Sequence, residues 1–232
     1  MDSNENEVQY SYKVVLIGDS GVGKTSLLTR FTKNQFSFEI RSTIGFQNAF
    51  HAVEIEGKIV KAEIWDTTGQ ERIRPAMNPF YRGAVGALLV FDITNAESFA
   101  GLNNWLNELS NFATNISCIL LIGNKTDLES DRKVSQTKAI QFAQKFNNMM
   151  YIETSANTAE NVNKAFETLL GNILSSTIKA KKVSGGEQLN LNGPAKRIEF
   201  EDMVENARHR KKRKRHQQDN PQCACALACS VF

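Results

Sequence analysis

The sequence predicts an α/β domain: a mostly parallel six-stranded sheet with one antiparallel edge strand and helices on both faces. Three observations carry this reading. Short β-branched runs alternate with stretches of helical period, the pattern of a parallel sheet whose crossovers are helices. Two β-prone segments, Phe46–Ile55 and Ile59–Trp65, are joined only by Glu56, Gly57 and Lys58, which suits a hairpin and hence one antiparallel edge. The third is KVVLIGDSGVGKTSLLTR from Lys13 to Arg30, an apolar strand, a glycine-rich turn and a helix in immediate succession.

Residues 1–10 are polar and read as a mobile N-terminus, with the folded domain over 11–178. Val14–Ile17 is apolar throughout, as a strand covered on both faces must be. Thr25–Thr32 reads as a helix, and Asn34–Gly45 lacks a sustained period and reads as a loop. Alternation along the hairpin is partial. Asp66–Arg82 mixes Gly69, Pro75 and Pro79 with charges and suits a loop with at most a short helix. Further strands are expected at Ala87–Phe91, Cys118–Ile122 and Met150–Glu153, each followed by a helix. The helices carry apolar stripes at spacings near three and four: Phe99, Leu102, Trp105, Leu106, Leu109 and Phe112; Ala139, Ile140, Ala143 and Phe146; and Val162, Ala165, Phe166, Leu169, Leu170 and Ile173. All three stripes are expected to face the core.

The chain's 232 residues suit one domain plus an appendage. Its net charge of +3 hides an asymmetry: residues 1–176 hold 16 Lys and Arg against 19 Asp and Glu, or −3, while residues 177–232 hold 12 against 6, or +6. The basic character belongs to a flexible tail over 179–232, in which Gly185, Gly186, Gly193 and Pro194 mark a linker. No apolar run reaches the ~18 residues of a membrane span, and no signal-peptide pattern opens the chain, so a cytosolic start follows. Cys223, Cys225 and Cys229 crowd into the last ten residues without a second pair or a histidine at ligand spacing, which argues against a disulfide framework or a zinc site.

In a parallel sheet, ligands gather at the carboxyl ends of the strands. The first such end carries Gly18, Gly23, Lys24 and Thr25 in the pattern G-x-x-x-x-G-K-[ST]. Gly21 and Gly23 permit backbone angles that let successive N–H groups curl around phosphate oxygens at a helix start. Lys24 supplies a point charge to the outer phosphates, and the Thr25 hydroxyl suits Mg²⁺. After the strand ending at Trp65 come Asp66, Thr67, Thr68, Gly69 and Gln70. Asp66 suits the hydration shell of Mg²⁺, the Gly69 N–H a terminal phosphate, and Gln70 the placing of a water. After Ile122 come Gly123, Asn124, Lys125, Thr126 and Asp127. A carboxylate there accepts from the ring N–H and the exocyclic amine of guanine, an arrangement adenine lacks. Ser155 and Ala156 follow the last strand, where a backbone N–H suits the guanine oxygen.

Residues 10–178 resemble the Rab branch of the Ras superfamily of small GTPases. Besides these loops, Ser42–Gly45, Lys61–Trp65, Phe80–Ala84 and Leu89–Thr94 resemble Rab-type segments, and Arg82–Val90 is most similar to the recycling-endosome Rabs. The resemblance implies a monomeric GTP-hydrolysing switch of vesicle traffic, on the cytoplasmic face of an endosomal or vesicular membrane with a cytosolic pool. It implies that Ser20, Gly21, Val22, Gly23, Lys24, Thr25 and Ser26 cradle the phosphates, that Thr43 joins Thr25 and Asp66 at Mg²⁺, and that Phe36 packs on the guanine beside Asn124, Lys125, Asp127, Ser155 and Ala156. Gln70 and Lys24 are the expected catalytic pair. No arginine is placed to act in cis, so an activating protein should supply one. An exchange factor, a prenyl carrier or dissociation inhibitor and effectors complete the implied partners.

Three departures stand out. Thr68 occupies a position where the family usually has alanine, and its added bulk beside Gly69 and Gln70 predicts slow hydrolysis; the alternative function is a membrane-anchored scaffold locked with GTP. At the expected effector surface of Ile44, Phe46, Asn48, Trp65 and Phe80, Asn48 replaces a usual phenylalanine, with Phe46 and Phe50 two residues either side. Pro75, Pro79 and Asn157 depart without an evident purpose. In the tail, Arg208–His216 holds seven Lys or Arg in nine residues, and Cys229-Ser230-Val231-Phe232 is a C-a-a-X box whose Phe favours geranylgeranylation. One prenyl chain and a basic run on an anionic leaflet together give stable attachment, with Cys223 and Cys225 as candidates for further lipid. A nuclear-import or RNA-contacting role is the rival for the basic run; no nucleic-acid partner is expected.

Overall fold

The apolar run after Lys13 forms the centre of a six-stranded sheet. The structure, a computed structural model, describes residues 8–38, 47–66, 78–146 and 149–183. Strands β1 (Tyr10–Ile17), β2 (Gln47–Ile55), β3 (Lys58–Asp66), β4 (Gly86–Asp92), β5 (Cys118–Asn124) and β6 (Met150–Thr154) lie in the order β2-β3-β1-β4-β5-β6. All neighbours are parallel except β2 and β3, whose antiparallel pairing turns at Glu56 and Gly57, both at positive φ. Pairing begins earlier than the mobile N-terminus expected for 1–10: the Gln9 N–H donates to the Ile59 carbonyl at 3.0 Å, and Tyr10 already belongs to β1. Val14, Val15, Leu16 and Ile17 are all buried, as a strand covered on both faces requires.

Helices α1 (Lys24–Lys33), α2 (Asn78–Tyr81), α3 (Ala96–Ala100), α4 (Leu102–Phe112), α5 (Gln136–Ala143) and α6 (Val162–Val183) join the strands. The stripe from Phe99 to Phe112 is split between α3 and α4 at Gly101, where a Cβ would lie 3.1 Å from the Asp19 carboxylate, a tight approach. On α5 the expected stripe is corrected: Ile140 is 40% exposed, whereas Phe142 is buried with Ala139 and Ala143. Residues 139, 142 and 143 share one face, and position 140 is turned about 100° from 139. Helix α6 continues to Val183, past the point near Lys179 where the apolar period fades. Its Val162, Ala165, Phe166, Leu169, Leu170 and Ile173 are all buried as expected.

Rings of α1 and α6 meet where Phe31 stacks on Phe166, centroids 4.0 Å apart and planes within 8°. Phe166→Ala removes this stacking from a buried site and is expected to cost about 3–5 kcal/mol. For a chain of this size that lowers the melting temperature by about 6–20 °C. Thermal unfolding at saturating GDP measures it, and a shift under about 3 °C would show that the site collapses without loss.

Candidate nucleotide-binding site

The parallel register sets the carboxyl ends of β1, β3, β4, β5 and β6 along one edge of the sheet. Leu16 pairs with Asp66, so the acidic end of β3 sits beside the glycine-rich turn that leaves β1. That turn is left-handed at Gly21 (φ 80°) and at Gly23 (φ 98°), the residue that caps α1. At Gly23 a Cβ would stand 2.3 Å from the Asn124 amide nitrogen, so the turn is pressed against the end of β5.

Lys24 opens α1 and is 4% exposed. Its ammonium donates to the Gly18 and Asp19 carbonyls at 2.7 and 2.8 Å. Burial lowers its pKa to about 8, against the opposing pull of Asp66 and Asp19. Asp66 is fully buried, and burial raises its pKa to about 6, opposed by the Thr25 hydroxyl and by Lys24. The Thr25 hydroxyl donates to Asp66 Oδ2 at 2.5 Å, while Asp66 Oδ1 is buried without a hydrogen-bond partner among the described residues. A hydroxyl oxygen beside an unsatisfied buried carboxylate oxygen is the hard donor set that Mg²⁺ takes. These residues fit the metal.

The second half of the site lies at β5 and β6. Asn124, 1% exposed, donates from Nδ2 to the Val22 carbonyl at 2.9 Å and accepts at Oδ1 from the Thr154 hydroxyl at 3.1 Å. It therefore ties the phosphate loop to the end of β6. Lys125 is left-handed at φ 72° and pairs with Asp92 Oδ2 at 2.6 Å. Asp127, at the start of a 3₁₀ turn (Thr126–Asp131), receives the Ser155 hydroxyl on Oδ1 at 2.5 Å and the Asn157 amide on Oδ2 at 3.1 Å. Partial burial disfavours its charge, but these bonds outweigh burial and hold its pKa below the usual carboxylate range. Asp127 is thus kept ionised, an acceptor at both oxygens. Ala156 is buried, and Phe36 follows α1, edge-on to Phe38 at 5.0 Å.

The structure thus brings together Ser20–Ser26 and Asp66 on one side and Asn124, Lys125, Asp127, Ser155 and Ala156 on the other. Thr43, Ile44, Phe46, Thr68, Gly69 and Gln70, and the tail cysteines, lie outside the described residues. At the expected effector surface Asn48 pairs with Trp65 and is exposed, as is Phe50 on the same face. Phe80 is corrected: it is 1% exposed, packed edge-on between Trp65 and Tyr81. Its aromatic character reads equally as surface or core in sequence, and the one-turn helix α2 turns it inward. Sequence reading missed Arg30 and Asp92. An acidic residue directly after a strand was a signal for Asp92; nothing local marked Arg30.

The family model described as Ras family matches residues 13–175. The chain is 47% identical over 192 residues to the Ras-related protein RABA2a of Arabidopsis thaliana, covering 83% of this chain and 87% of that one. It is 44% identical over 204 residues to the Ras-related protein Rab2BV of Beta vulgaris, covering 88% and 95%. Both are named as Ras-related proteins, and neither supports a GTP-locked scaffold. No helix among the described residues is long and apolar enough to cross a membrane. With a phosphate loop, a buried acidic partner for its threonine and an ionised Asp127 along one sheet edge, the chain belongs to the Ras family as a Rab-branch small GTPase, an enzyme that binds guanine nucleotides and hydrolyses GTP.

Proposed function

We propose that the protein is a switch of vesicle traffic that recruits effectors to an endosomal or vesicular membrane while GTP is bound. The observation that carries the chemistry is the pairing of the buried Lys24 and Thr25–Asp66 group with the ionised Asp127 at the opposite end of one loop cluster. Asp127 selects guanine. Ser20–Ser26 cradle the phosphates through backbone N–H groups, and Lys24 balances charge on the outer ones. Thr25 and Asp66, together with Thr43, would hold Mg²⁺, which would neutralise phosphate charge. Gln70 orients a water for in-line attack on the γ-phosphorus; the bond to the bridging oxygen breaks, and GDP and phosphate leave without a covalent intermediate. An arginine from an activating protein adds about 10³–10⁵ in rate. Loss of the γ-phosphate releases Thr43 and Gly69. An exchange factor resets the cycle, and a prenyl carrier or dissociation inhibitor maintains the cytosolic pool.

Chromatography of the nucleotide released from the purified protein tests the cycle: GDP is expected, and GTP alone would sink the hydrolysing reading. Thr68 adds a methyl and a hydroxyl one residue before Gly69 and two before Gln70 in the sequence, so Thr68→Ala is expected to raise the single-turnover rate severalfold; equal rates would remove that role. Cys229 carries the prenyl group, so Cys229→Ser is expected to move the protein from membranes to the soluble fraction, since the basic run alone adds only about 1 kcal/mol per residue near an anionic surface. Retention on membranes would sink the prenyl reading.

A further inference from the structure

Asn157 is a departure from the family pattern that the roles above leave without a purpose, and its two polar ends point to different parts of the molecule. Its side chain donates from Nδ2 to Asp127 Oδ2 at 3.1 Å. Its carbonyl accepts from Arg30 Nη2 at 2.9 Å, and the preceding carbonyl, of Ala156, accepts from Arg30 Nε at 2.9 Å. One planar guanidinium therefore grips two consecutive carbonyls of the loop behind the base site, the fork geometry that a lysine cannot reproduce. Arg30 is itself anchored. Its Nη1 donates to Asn34 O at 3.0 Å and to Asn34 Oδ1 at 3.2 Å, where α1 ends in a left-handed residue. Its Cζ stands 6.0 Å over the ring of Phe36.

The second observation concerns lone pairs. An ionised carboxylate offers about four acceptor positions, two on each oxygen. Ser155 bonds Oδ1 and Asn157 bonds Oδ2, and the residue's own backbone N–H also favours the charged carboxylate, so each oxygen is held by a side-chain donor while the pair faces the ring N–H and the exocyclic amine of guanine. Rotation of an aspartate carboxylate about its last torsion is intrinsically loose. Two donors, one per oxygen, fix that plane; Ser155 alone would leave Oδ2 free to swing.

We propose that Arg30, Asn157 and Asp127 act as one clamp: Arg30 holds the 155–157 loop against α1, and Asn157 sets the plane of the Asp127 carboxylate so that both guanine donors are read together. Arg30 and Asn157 are positioning residues for base selection and nucleotide retention. The inference rests on Asp127 as the base reader.

The test compares release of fluorescent GDP and IDP from the full-length protein. Inosine keeps the ring N–H but lacks the exocyclic amine, so it uses one of the two carboxylate contacts. Asn157→Ala and Arg30→Ala are each expected to speed GDP release about tenfold, the scale of one hydrogen bond to a charged group. IDP release should rise by less than about threefold, so that the preference for GDP shrinks. The double variant should release GDP no faster than the faster single one, as parts of one unit do. Arg30→Lys should behave like Arg30→Ala, and it covers the case in which the alanine variant folds poorly. Equal acceleration of both nucleotides would mean general loosening and overturn the clamp, as would unchanged release or additive effects. A wild type that holds GDP no longer than IDP would overturn the Asp127 reading itself; a wild-type preference that survives in both single variants would overturn the clamp alone.

Discussion

Asp127→Asn is expected to weaken GDP binding by about 10²–10⁴-fold and to raise affinity for xanthosine diphosphate above that of the native protein. The carboxylate accepts from two guanine donors, and hydrogen bonds to a charged group are worth about 1.5–3 kcal/mol each; losing one, opposing its donor with another and neutralising the acceptor of the second together account for that range. An asparagine presents one acceptor and one donor. Its oxygen still takes the ring N–H, but its amide nitrogen then faces the exocyclic amine of guanine, donor against donor. Xanthine has a carbonyl at that position and an unchanged ring N–H, so the mismatch becomes a hydrogen bond. The native Asp127 is held ionised by Ser155 and Asn157, which is why the effect should be large at neutral pH. Competition of both diphosphates against fluorescent GDP measures it. A GDP affinity within about threefold of native would remove Asp127 from base recognition.

Gly18→Ala is expected to destabilise the fold by more than about 4 kcal/mol, beyond the ordinary run of single substitutions. Two costs combine. The residue sits at φ 143°, a conformation that side chains rarely adopt, and a Cβ there would lie 2.1 Å from the Val90 carbonyl oxygen. That oxygen belongs to β4, which is hydrogen-bonded to β1 on one side and β5 on the other and cannot retreat without disturbing both ladders. A fall of about 8–16 °C in melting temperature, or failure to obtain soluble protein, is the expected result. Gly21→Ala is the control. It shares the positive φ, at 80°, but no atom of the described residues lies within 4 Å of its would-be Cβ, so only the backbone term of about 1 kcal/mol applies. If the two variants melt within about 3 °C of each other, the clash with Val90 is not the cause.

The strands and most of the helices were legible in the chain because burial imposes a period, and period is local. The Val14–Ile17 half of β1 had to be apolar throughout to lie between two neighbours with both faces covered. The stripe on α6 had to repeat at three and four to keep one side inward. The loops were legible for another reason: phosphate cradling needs glycines where a turn is left-handed, and a base reader needs its carboxylate just past a strand end. Less visible were features decided by what lies opposite. The Asp19 carboxylate closely approaches Gly101, between α3 and α4, and the Trp105 indole donates to that same carboxylate at 2.7 Å from 86 residues away. Ile140 and Phe142 are equally apolar, and only the sheet beneath α5 selects between them. Phe80 reads as surface or core until α2 is placed under Trp65.

The sequence by itself determined the order of elements, the edge of the sheet at which chemistry collects, and the residue types there: a lysine and threonine for phosphate and metal, an aspartate for guanine. Those are requirements of short segments, each satisfied within a few residues of a strand end. Only the tertiary structure decided how the segments brace one another. Asn124 reaches back 102 residues to the Val22 carbonyl, and Arg30 reaches forward 126 to the Ala156 carbonyl. No local pattern encodes such a bond, because its strength depends on a partner whose position is set by packing the whole sheet. Arg30 looked like one more charge on a helix. The fold makes it the side chain that holds the guanine loop to α1.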